Sequence, residues 1–277
     1  MERVINVFGG GGFVGGRYCE MTPNLIINPR GDYQIKTDDV LYFISTIDNY
    51  NVHTDPFIDI DTNLTTLIGV LESYPKDQKK NLTFNFISSW FVYGSIELPA
   101  HEDSLCNPKG FYSITKRAAE QLLISYCETF GLKYRILRLS NILGPQDKKV
   151  SKKKNALQFM LNQVKNNETI TLYDGGNIFR DYLYVDDAVD AINLILEKGK
   201  VNHIYNIGSG KAYFLDNIIK EAIKKTGSSS KVENIETADF HKIVQTKNMV
   251  LDVSRLYNLG FQPKYNMDSM LDVLLSN

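Results

Sequence analysis

The chain has 277 residues, of which 43% are hydrophobic and 23% charged, a composition typical of a globular protein. This length is enough for one large α/β unit or for a main domain with a small companion domain. Its formal net charge of -1 predicts no general attraction to nucleic acid or to an anionic membrane, and no apolar run reaches the roughly 18 residues that cross a bilayer. Cys19, Cys106 and Cys127 are scattered, so we expect no disulfide framework, no metal site and a cytoplasmic location.

Strand-like and helix-like patterns alternate along the chain, which is typical of parallel βαβ units. Near-continuous apolar runs predict strands at Val4–Phe8, Leu25–Asn28, Val40–Ser45, Leu82–Ser88, Tyr134–Leu139 and Tyr205–Ile207. Apolar residues at helical spacing predict helices at Leu64–Leu71, Tyr112–Phe130, Asp187–Lys198, Leu215–Lys225 and Asp268–Leu275. The alternation therefore predicts an α/β fold with a doubly wound parallel sheet.

Six glycines lie between Gly9 and Gly16, directly after the first predicted strand. Glycine permits positive φ and removes the Cβ atoms that would keep a ligand away from the backbone. A helix that starts there directs free N–H groups and a partial positive charge at a phosphate. The spacing Gly9-x-x-Gly12-x-x-Gly15 is therefore typical of a dinucleotide pyrophosphate turn, although an ordinary tight turn can have the same composition.

A tyrosine and a lysine lie one helical turn apart where the predicted helix Tyr112–Phe130 begins. Tyr112 and Lys116 share one helix face, so an ammonium can stand beside the phenol. One ammonium at about 4 Å in an effective dielectric near 20 supplies roughly 4 kcal/mol, enough to lower a tyrosine pKa from about 10 toward neutrality. Ser88 and Ser89 end the preceding strand, where a hydroxyl can bind a substrate oxygen. The structural alternatives are an exposed Tyr–Lys pair and serines that only cap the strand.

In this order the motifs resemble the extended branch of the short-chain dehydrogenase/reductase superfamily, the nucleotide-sugar epimerases and dehydratases. The matching segments are Gly9–Gly15 (GGxGFIG), Ser88–Gly94 (SSxxVYG), Arg138–Pro145 (RxxNxxGP), Gly175–Asp187 (the RDF segment) and Tyr205–Gly210 (YNIGSG). The resemblance implies a Rossmann dinucleotide-binding domain of residues 1–165 and about 177–210. It also implies a smaller substrate-binding domain of about 166–176 and 211–277.

The resemblance implies a role for each matching residue. Tyr112 is the expected catalytic acid/base, Lys116 holds the cofactor ribose and tunes Tyr112, and Ser89 binds the sugar oxygen. The expected contacts of NAD or NADP are Gly9, Gly12, Phe13, Val14, Gly15, Asn28, Arg30, Ser88 and Lys116. The expected substrate contacts are Ser89, Asn141 and Arg180, with the guanidinium on a phosphate of a nucleoside-diphosphate sugar. The alternative for Arg180 is a surface ion pair with Asp181, and the lysines between 148 and 154 form a solvated loop or supply one phosphate ligand.

The expected reaction is oxidation and reduction at C4 of the sugar, by an epimerase that forms a transient 4-keto intermediate. A net 4-keto-sugar reductase or dehydrogenase uses the same residues, and a dinucleotide-binding module without catalysis is the third alternative. The family further implies a homodimer and a role in polysaccharide biosynthesis. The helices Leu64–Leu71 and Tyr112–Phe130 are candidates for a four-helix interface, although their apolar faces can equally cover the sheet.

The residues after the strand-end serine depart from the family's pattern. Its dehydratases carry Asp-Glu there, whereas this chain has Trp90 and Phe91, and an aromatic pair cannot protonate a leaving hydroxyl. Dehydration is therefore not expected. The fucose-synthase-like epimerase/reductases use a cysteine after the serine and a histidine near the GP turn. Because Trp90 and Gln146-Asp147 stand in those regions, that double activity is not expected either.

The end of the second strand departs as well. An acid there normally accepts the ribose 2′-hydroxyl of NAD, but this chain has Asn28-Pro29-Arg30. The lost carboxylate and Arg30 favour tolerance of NADP, NAD stays open, and Asp32 is an alternative ribose ligand. The segment Asp32–Asp39 has no room for the usual third strand and its helix, so we expect a less enclosed adenine end.

Overall fold

The computed structural model describes residues 3–47, 49–75, 81–148, 150–151, 154–244 and 246–276. The strands are β1 (Ile5–Phe8), β2 (Leu25–Ile27), β3 (Asp39–Tyr42), β4 (Thr83–Ser89), β5 (Lys133–Leu139), β6 (Asn141–Leu143), β7 (Ile170–Tyr173), β8 (Phe179–Arg180), β9 (Tyr182–Tyr184), β10 (His203–Ile207), β11 (Tyr213–Phe214) and β12 (Val232–Ile235). The helices are α1 (Phe13–Met21), α2 (Phe57–Ile60), α3 (Thr66–Glu72), α4 (Phe111–Phe130), α5 (Ala156–Lys165), α6 (Val185–Lys198), α7 (Leu215–Thr226), α8 (Asp239–Val244), α9 (Ser254–Tyr257) and α10 (Met267–Leu275).

The central sheet has six parallel strands in the order β10-β5-β4-β3-β1-β2. This arrangement confirms the predicted doubly wound α/β fold. The chain runs from β1 to β2 on one side and then returns to β3 on the other side of β1, so the strand order reverses between β1 and β3. Ligands of open parallel sheets bind at such a reversal, outside the carboxyl ends of the strands.

Alternate residues of the strands supply two separate cores, one on each face of the sheet. Val7, Leu41 and Leu137 pack with α1 and α6 on one face. Phe8 and Tyr42 belong to the other face, whose core includes buried side chains of α3 and α4. Strands buried on both faces read as continuous apolar runs, which explains why the sequence predicts them well.

Two predicted helices end close to where the sequence predicts because a glycine follows each of them, whereas two other predicted elements have different bounds. Helix α4 ends at Gly131 and α7 at Gly227, with φ of 68° and 65°, a left-handed conformation that glycine adopts without strain. The predicted strand Val40–Ser45 is shorter in the structure and ends at Tyr42. The predicted helix Leu64–Leu71 is preceded by a wider helical turn, and α3 begins only at Thr66.

A third core lies outside the central sheet and is built mainly by later segments of the chain. Side chains of α5, α7 and α10 pack together there, including Leu161, Ile219 and Leu271, which are each at most 1% exposed. Small two-stranded pairings accompany them, β12 with β7 and β11 with β8. Among the described residues, no helix is long and apolar enough to cross a membrane.

Candidate active site

The start of α4 is held by a tight contact with the segment before α2. Gly110 precedes the helix, its N–H donates to Ser113 Oγ at 2.9 Å, and a Cβ at Gly110 would collide with the Asn49 amide. This arrangement sets the position of the first helical turn. Tyr112, Lys116 and Glu120 then lie on one buried face of α4.

Lys116 carries a buried amine between the helix and the sheet. It is 2% exposed, its Nζ donates to the Ile87 carbonyl at 2.7 Å, and Nζ lies 4.1 Å from the centre of the Phe86 ring. Burial lowers the pKa of Lys116 from 10.5 to about 7, while the nearby Glu120 carboxylate acts in the opposite direction. The amine is therefore poised to gain and lose a proton near neutral pH.

One turn further along α4, Glu120 and Arg138 form a buried ion pair. Arg138 donates from Nε and from a terminal nitrogen to the two Glu120 oxygens, at 3.0 and 2.8 Å. Arg117 adds a third contact at 2.8 Å. Burial raises the pKa of Glu120, but these cations and the Ser88 hydroxyl lower it overall. The Arg138 side chain thus anchors β5 to α4, and Ser88 faces this side of the sheet.

Tyr112 and Ser89 face a cavity of about 830 Å³ on the opposite side of the strand end. Tyr112 is 8% exposed, and the Phe91 ring lies edge-on to it with centroids 5.9 Å apart. The Ser89 hydroxyl accepts from the Phe91 N–H at 3.3 Å, so it caps the turn and lines the cavity at once. Both side chains are buried, so the alternative of a solvent-exposed Tyr–Lys pair is wrong.

The glycine turn leaves bare backbone beside the start of α1. Gly9 has φ of 82°, and a Cβ there would lie 2.9 Å from the Ile44 nitrogen. A Cβ at Gly15 would lie 2.5 Å from the Gly9 oxygen. Gly12 precedes the helix with no side-chain cap, and no acid lies in the first turn, so the N–H groups from Phe13 to Gly15 have no competing anion there. These residues fit a pyrophosphate.

Asn28 and Arg30 lie at the end of β2 in different environments. Asn28 is 6% exposed; its Oδ1 accepts from Asn6, and its Nδ2 donates to the carbonyls of Asp32 and Gln34. Asp32 pairs with Lys36 at 2.6 Å, which lowers the pKa of that carboxyl. Arg30 is exposed. Only Arg30 therefore projects from this segment as a charged group without a partner among the described residues.

Arg180 lines the same cavity as Tyr112 and forms no ion pair with a described residue. Its guanidinium donates to the carbonyls of Phe179, Thr246 and Lys247 and lies 5.2 Å from the centre of the Trp90 ring. Burial lowers its pKa to about 10. The alternative ion pair with Asp181 is wrong, because that carboxylate accepts instead from Ser209, Gly210 and Leu251.

Asn141 lines the cavity together with Arg180, and its side chain also forms a hydrogen bond within the protein. Its Nδ2 donates to the Asp181 carbonyl at 3.0 Å. Of the lysine cluster, Lys154 lines the cavity and pairs with Asp147 at 2.6 Å. Lys149, Lys152 and Lys153 lie outside the described residues.

Sequence reasoning missed the far wall of the cavity. His241, on α8, contacts the Tyr50 hydroxyl, and its ring packs edge-on against Tyr173 with centroids 4.9 Å apart. These three side chains line the cavity together with Asp174. No motif marks Tyr50 and His241 in the sequence, because they are 191 positions apart and meet only through the tertiary fold.

The parallel sheet with its glycine turn is typical of dinucleotide-binding Rossmann proteins. Tyr112 and Lys116 are both buried on α4, and Tyr112 lines the cavity. The model of the NAD dependent epimerase/dehydratase family matches residues 34–208, and the chain belongs to this family. It is therefore a member of the extended short-chain dehydrogenases/reductases, as the motifs predicted.

Individual relatives agree with this assignment. The chain is 27% identical to the "Putative UDP-glucose 4-epimerase" of Methanocaldococcus jannaschii, over 95% of this chain and 94% of that protein. It is 33% identical to a dTDP-D-glucose 4,6-dehydratase of Dictyostelium discoideum over 61% of this chain, and it spans only 34% of the length of that relative. The crystal structure of UDP-glucose 4-epimerase from Thermotoga maritima shares the fold, with a TM-score of 0.86 at 21% identity over 99% of this chain and 97% of that one.

Proposed function

We propose that this protein catalyses NAD(P)-dependent oxidation and reduction at C4 of a nucleoside-diphosphate sugar, as an epimerase that forms a transient 4-keto sugar. The observation that carries the proposal is the position of Tyr112. It faces a cavity that is also lined by Phe13, next to the glycine turn, and by Arg180. A proton-transfer group thus shares one cavity with a residue beside the proposed dinucleotide cradle and with a cation for a sugar nucleotide.

The chain's own residues supply the proton transfer and the positioning. A bound nicotinamide dinucleotide supplies the hydride acceptor and donor at the carbon. Tyr112 takes the proton of the 4-hydroxyl and later returns it, and the Ser89 hydroxyl holds the same oxygen. Lys116, when protonated, stabilises the phenolate form of Tyr112 and so brings its pKa closer to neutrality.

Arg180 and the aromatic rings beside it support a nucleotide-sugar substrate. Solved structures of this fold contain UDP-glucose or UDP-glucuronic acid, which makes these compounds the first candidates. A guanidinium that binds only backbone carbonyls keeps its positive charge for an external phosphate. Asn141 supplies a further polar group on the same side. We propose that α7 and α10 belong to the substrate-binding domain of about 166–176 and 211–277, which packs against α5.

Trp90 and Phe91 argue against dehydration. Their rings stack with centroids 3.9 Å apart, and Phe91 lies against Tyr112. A stacked aromatic pair has no proton to donate to a leaving hydroxyl. The substrate therefore keeps its 6-hydroxyl in the proposed reaction, although relatives of this chain include dehydratases.

The cofactor is NAD or NADP, since solved structures of this fold contain one or the other. Arg30 supports use of NADP, because an exposed guanidinium can pair with a 2′-phosphate. A net reductase or dehydrogenase is the second candidate function, favoured by the open end of the cofactor site described below. A module without catalysis has less support, because Tyr112 lines the cavity and Lys116, one turn further along the same helix, is buried beside the sheet.

A panel of nucleotide sugars tests the proposal directly. The protein is incubated with UDP-glucose, UDP-glucuronic acid and dTDP-glucose, with added NAD or NADP, and the products are analysed by mass spectrometry and NMR. An unchanged mass with inverted C4 supports the epimerase. A change of two mass units with matched cofactor turnover supports the oxidoreductase. A loss of 18 mass units would show that the aromatic pair does not prevent dehydration.

We further propose a homodimer that forms through α3 and α4. The two helices are neighbours, since the Tyr126 hydroxyl donates to the Leu71 carbonyl at 3.2 Å. Their outer faces expose Ile68 and Leu122 by 41% and 39%. Sedimentation velocity tests this, and Leu122→Glu is expected to give monomer because a carboxylate would be buried at the contact.

The cytoplasm and a role in polysaccharide biosynthesis also stay predictions. The described cysteines are free thiols, which suits a reducing compartment. Fractionation of the source cells tests the first, and the identity of the sugar found by the panel tests the second.

A further inference from the structure

The adenosine side of the cofactor site lacks one wall, and we infer that the dinucleotide exchanges with solution between turnovers instead of remaining bound. This inference rests on the proposed function, because it assumes that a dinucleotide binds at the glycine turn. Whether the cofactor is retained or released decides whether the protein can carry out net oxidation or reduction of its substrate.

The sheet ends at β2. In the usual dinucleotide-binding order, a further strand lies beyond the second one, and a helix connects the two. Here the chain passes from β2 to β3 through residues 28–38, all of which the structure describes and which contain neither a helix nor a strand. The outer side of β2 is therefore open, and Ile27 is 48% exposed.

Asn28 occupies the position that ordinarily binds the ribose, but its side chain forms hydrogen bonds that hold this short connection in place. Asn28 stands where an acid normally accepts the ribose hydroxyl, but its amide oxygen accepts from Asn6 at 2.7 Å. Its amide nitrogen donates to two carbonyls of the connection, at 2.8 and 3.0 Å. Replacing these bonds by one to a ribose would break the hydrogen bonds that hold the connection against β2.

The two acidic residues of the connection, Asp32 and Asp38, already have hydrogen-bond partners within the protein. Asp32 pairs with Lys36 at 2.6 Å and accepts from the Gln34 N–H at 3.0 Å. Asp38 accepts from the Tyr74 hydroxyl. No acid between residues 28 and 38, a stretch described throughout, is therefore left as a ribose ligand, and Arg30 is the exposed charged group that a 2′-phosphate could meet.

The lining of the cavity also indicates that the adenosine side of the cofactor site is open. The described lining includes Phe13, Tyr112 and Arg180, but no residue of the connection 28–38. In the inferred binding mode the nicotinamide half would lie at this cavity, while the adenosine half would rest at the open edge of the sheet. Fewer desolvated contacts on one half of a ligand shorten its residence time, because affinity differences lie mainly in the dissociation rate.

Exchange of the cofactor changes what the site can do. In the oxidative direction the C4 carbon loses a hydride, the 4-hydroxyl loses its proton to Tyr112, and the two electrons leave with the reduced dinucleotide on its release. The 4-keto sugar is then the product. The reductive direction returns one hydride and one proton to the ketone. A chain that releases its cofactor can therefore perform net oxidation or reduction in addition to epimerisation, which returns the cofactor to its starting form before release.

Cofactor retention is measured on the full chain without added ligand. The protein is purified, passed over gel filtration and denatured, and the released dinucleotide is quantified by chromatography. We expect less than one dinucleotide per ten chains. Stopped-flow fluorescence with NADH or NADPH is expected to give a Kd of about 10 µM and release at roughly 10 s⁻¹, if association proceeds at about 10⁶ M⁻¹s⁻¹.

A pair of glycine variants shows where the dinucleotide binds. Gly15→Ala places a Cβ 2.5 Å from the Gly9 oxygen, and we expect at least tenfold weaker NADH binding. Gly69→Ala, in α3, places a Cβ in open space and is the matched control, with unchanged binding. Circular dichroism verifies that both variants fold, and if Gly15→Ala does not, the retention measurement on the unmodified chain still decides the question.

The outcomes separate the inference from the proposed function. Empty purified protein that binds added cofactor reversibly supports both. About one dinucleotide per chain after gel filtration overturns the inference and leaves the epimerase in place. A chain that neither retains nor binds NADH or NADPH overturns the inference and the proposed function together.

Discussion

Replacing Lys116 by methionine is expected to make the protein more stable at pH 6 and to remove its activity. The methionine has a similar length but carries no charge. A pKa that falls from 10.5 to about 7 on burial corresponds to roughly 5 kcal/mol of stability lost to keeping the ammonium inside the protein. Loss of the bond to the Ile87 carbonyl offsets about 1–3 kcal/mol of the gain. We therefore expect Lys116→Met to gain about 2–4 kcal/mol at pH 6.

The stability difference between Lys116→Met and the wild type is expected to change with pH in a direction that only burial of the ammonium explains. Below pH 7 the lysine is protonated in both the folded and the unfolded chain, so the folded chain carries the full burial penalty. Between pH 7 and 10.5 the unfolded chain binds more protons than the folded one, so wild-type stability rises with pH. Above pH 10.5 the penalty has disappeared. The lost hydrogen bond should then make Lys116→Met the less stable protein.

Urea unfolding of both proteins from pH 6 to 10.5, followed by circular dichroism, measures this difference. Lys220→Met is the control, because that side chain is 71% exposed and only pairs with Asp216. Its effect should be a few tenths of a kcal/mol and nearly independent of pH. A stability difference for Lys116→Met that does not change with pH, or that is already negative at pH 6, would refute the reasoning about burial.

Three further substitutions test the site and the fold. Tyr112→Phe removes only the phenolic hydroxyl group, and we expect kcat to fall by about 10²–10⁴ while NADH still binds; full turnover would exclude Tyr112 as the acid/base. Arg180→Met should raise the KM for a nucleotide sugar by about 10–100-fold, with kcat little changed, because it removes charged hydrogen bonds to a phosphate; steady-state kinetics in which only kcat falls would contradict this role. Gly94→Ala should lose more than about 3 kcal/mol in urea unfolding, because φ is 65° and a Cβ would collide with the Asn107 carbonyl, whereas a loss below 1 kcal/mol would show that the turn relaxes.

The site shows how burial changes the meaning of a motif. Tyr112 and Lys116 can be found from their spacing alone, but the spacing is equally compatible with a solvent-exposed pair. The contact of Lys116 with the Ile87 carbonyl and the Phe86 ring decides between these readings. The same contacts lower the pKa of the amine, because the charged form has lost its water.

Two site residues illustrate where sequence reasoning stops. Asn28 is recognisable as a departure from an acid, yet its inward orientation depends on Asn6 and on the carbonyls of Asp32 and Gln34. Arg180 is recognisable as a cation in a family segment. Its lack of an acidic partner among the described residues follows from loop 246–247, which is far from it in sequence.

The amino-acid sequence alone determined the parallel α/β architecture, the glycine turn and the Tyr–Lys pair. These features depend on local periodicity, on glycine's freedom at particular φ angles and on the spacing of one helix. Only the tertiary structure decided the cavity wall formed by Tyr50 and His241 and the environment of Arg180. Those features arise from contacts between residues far apart in the chain, and neither residue type nor spacing encodes such contacts locally.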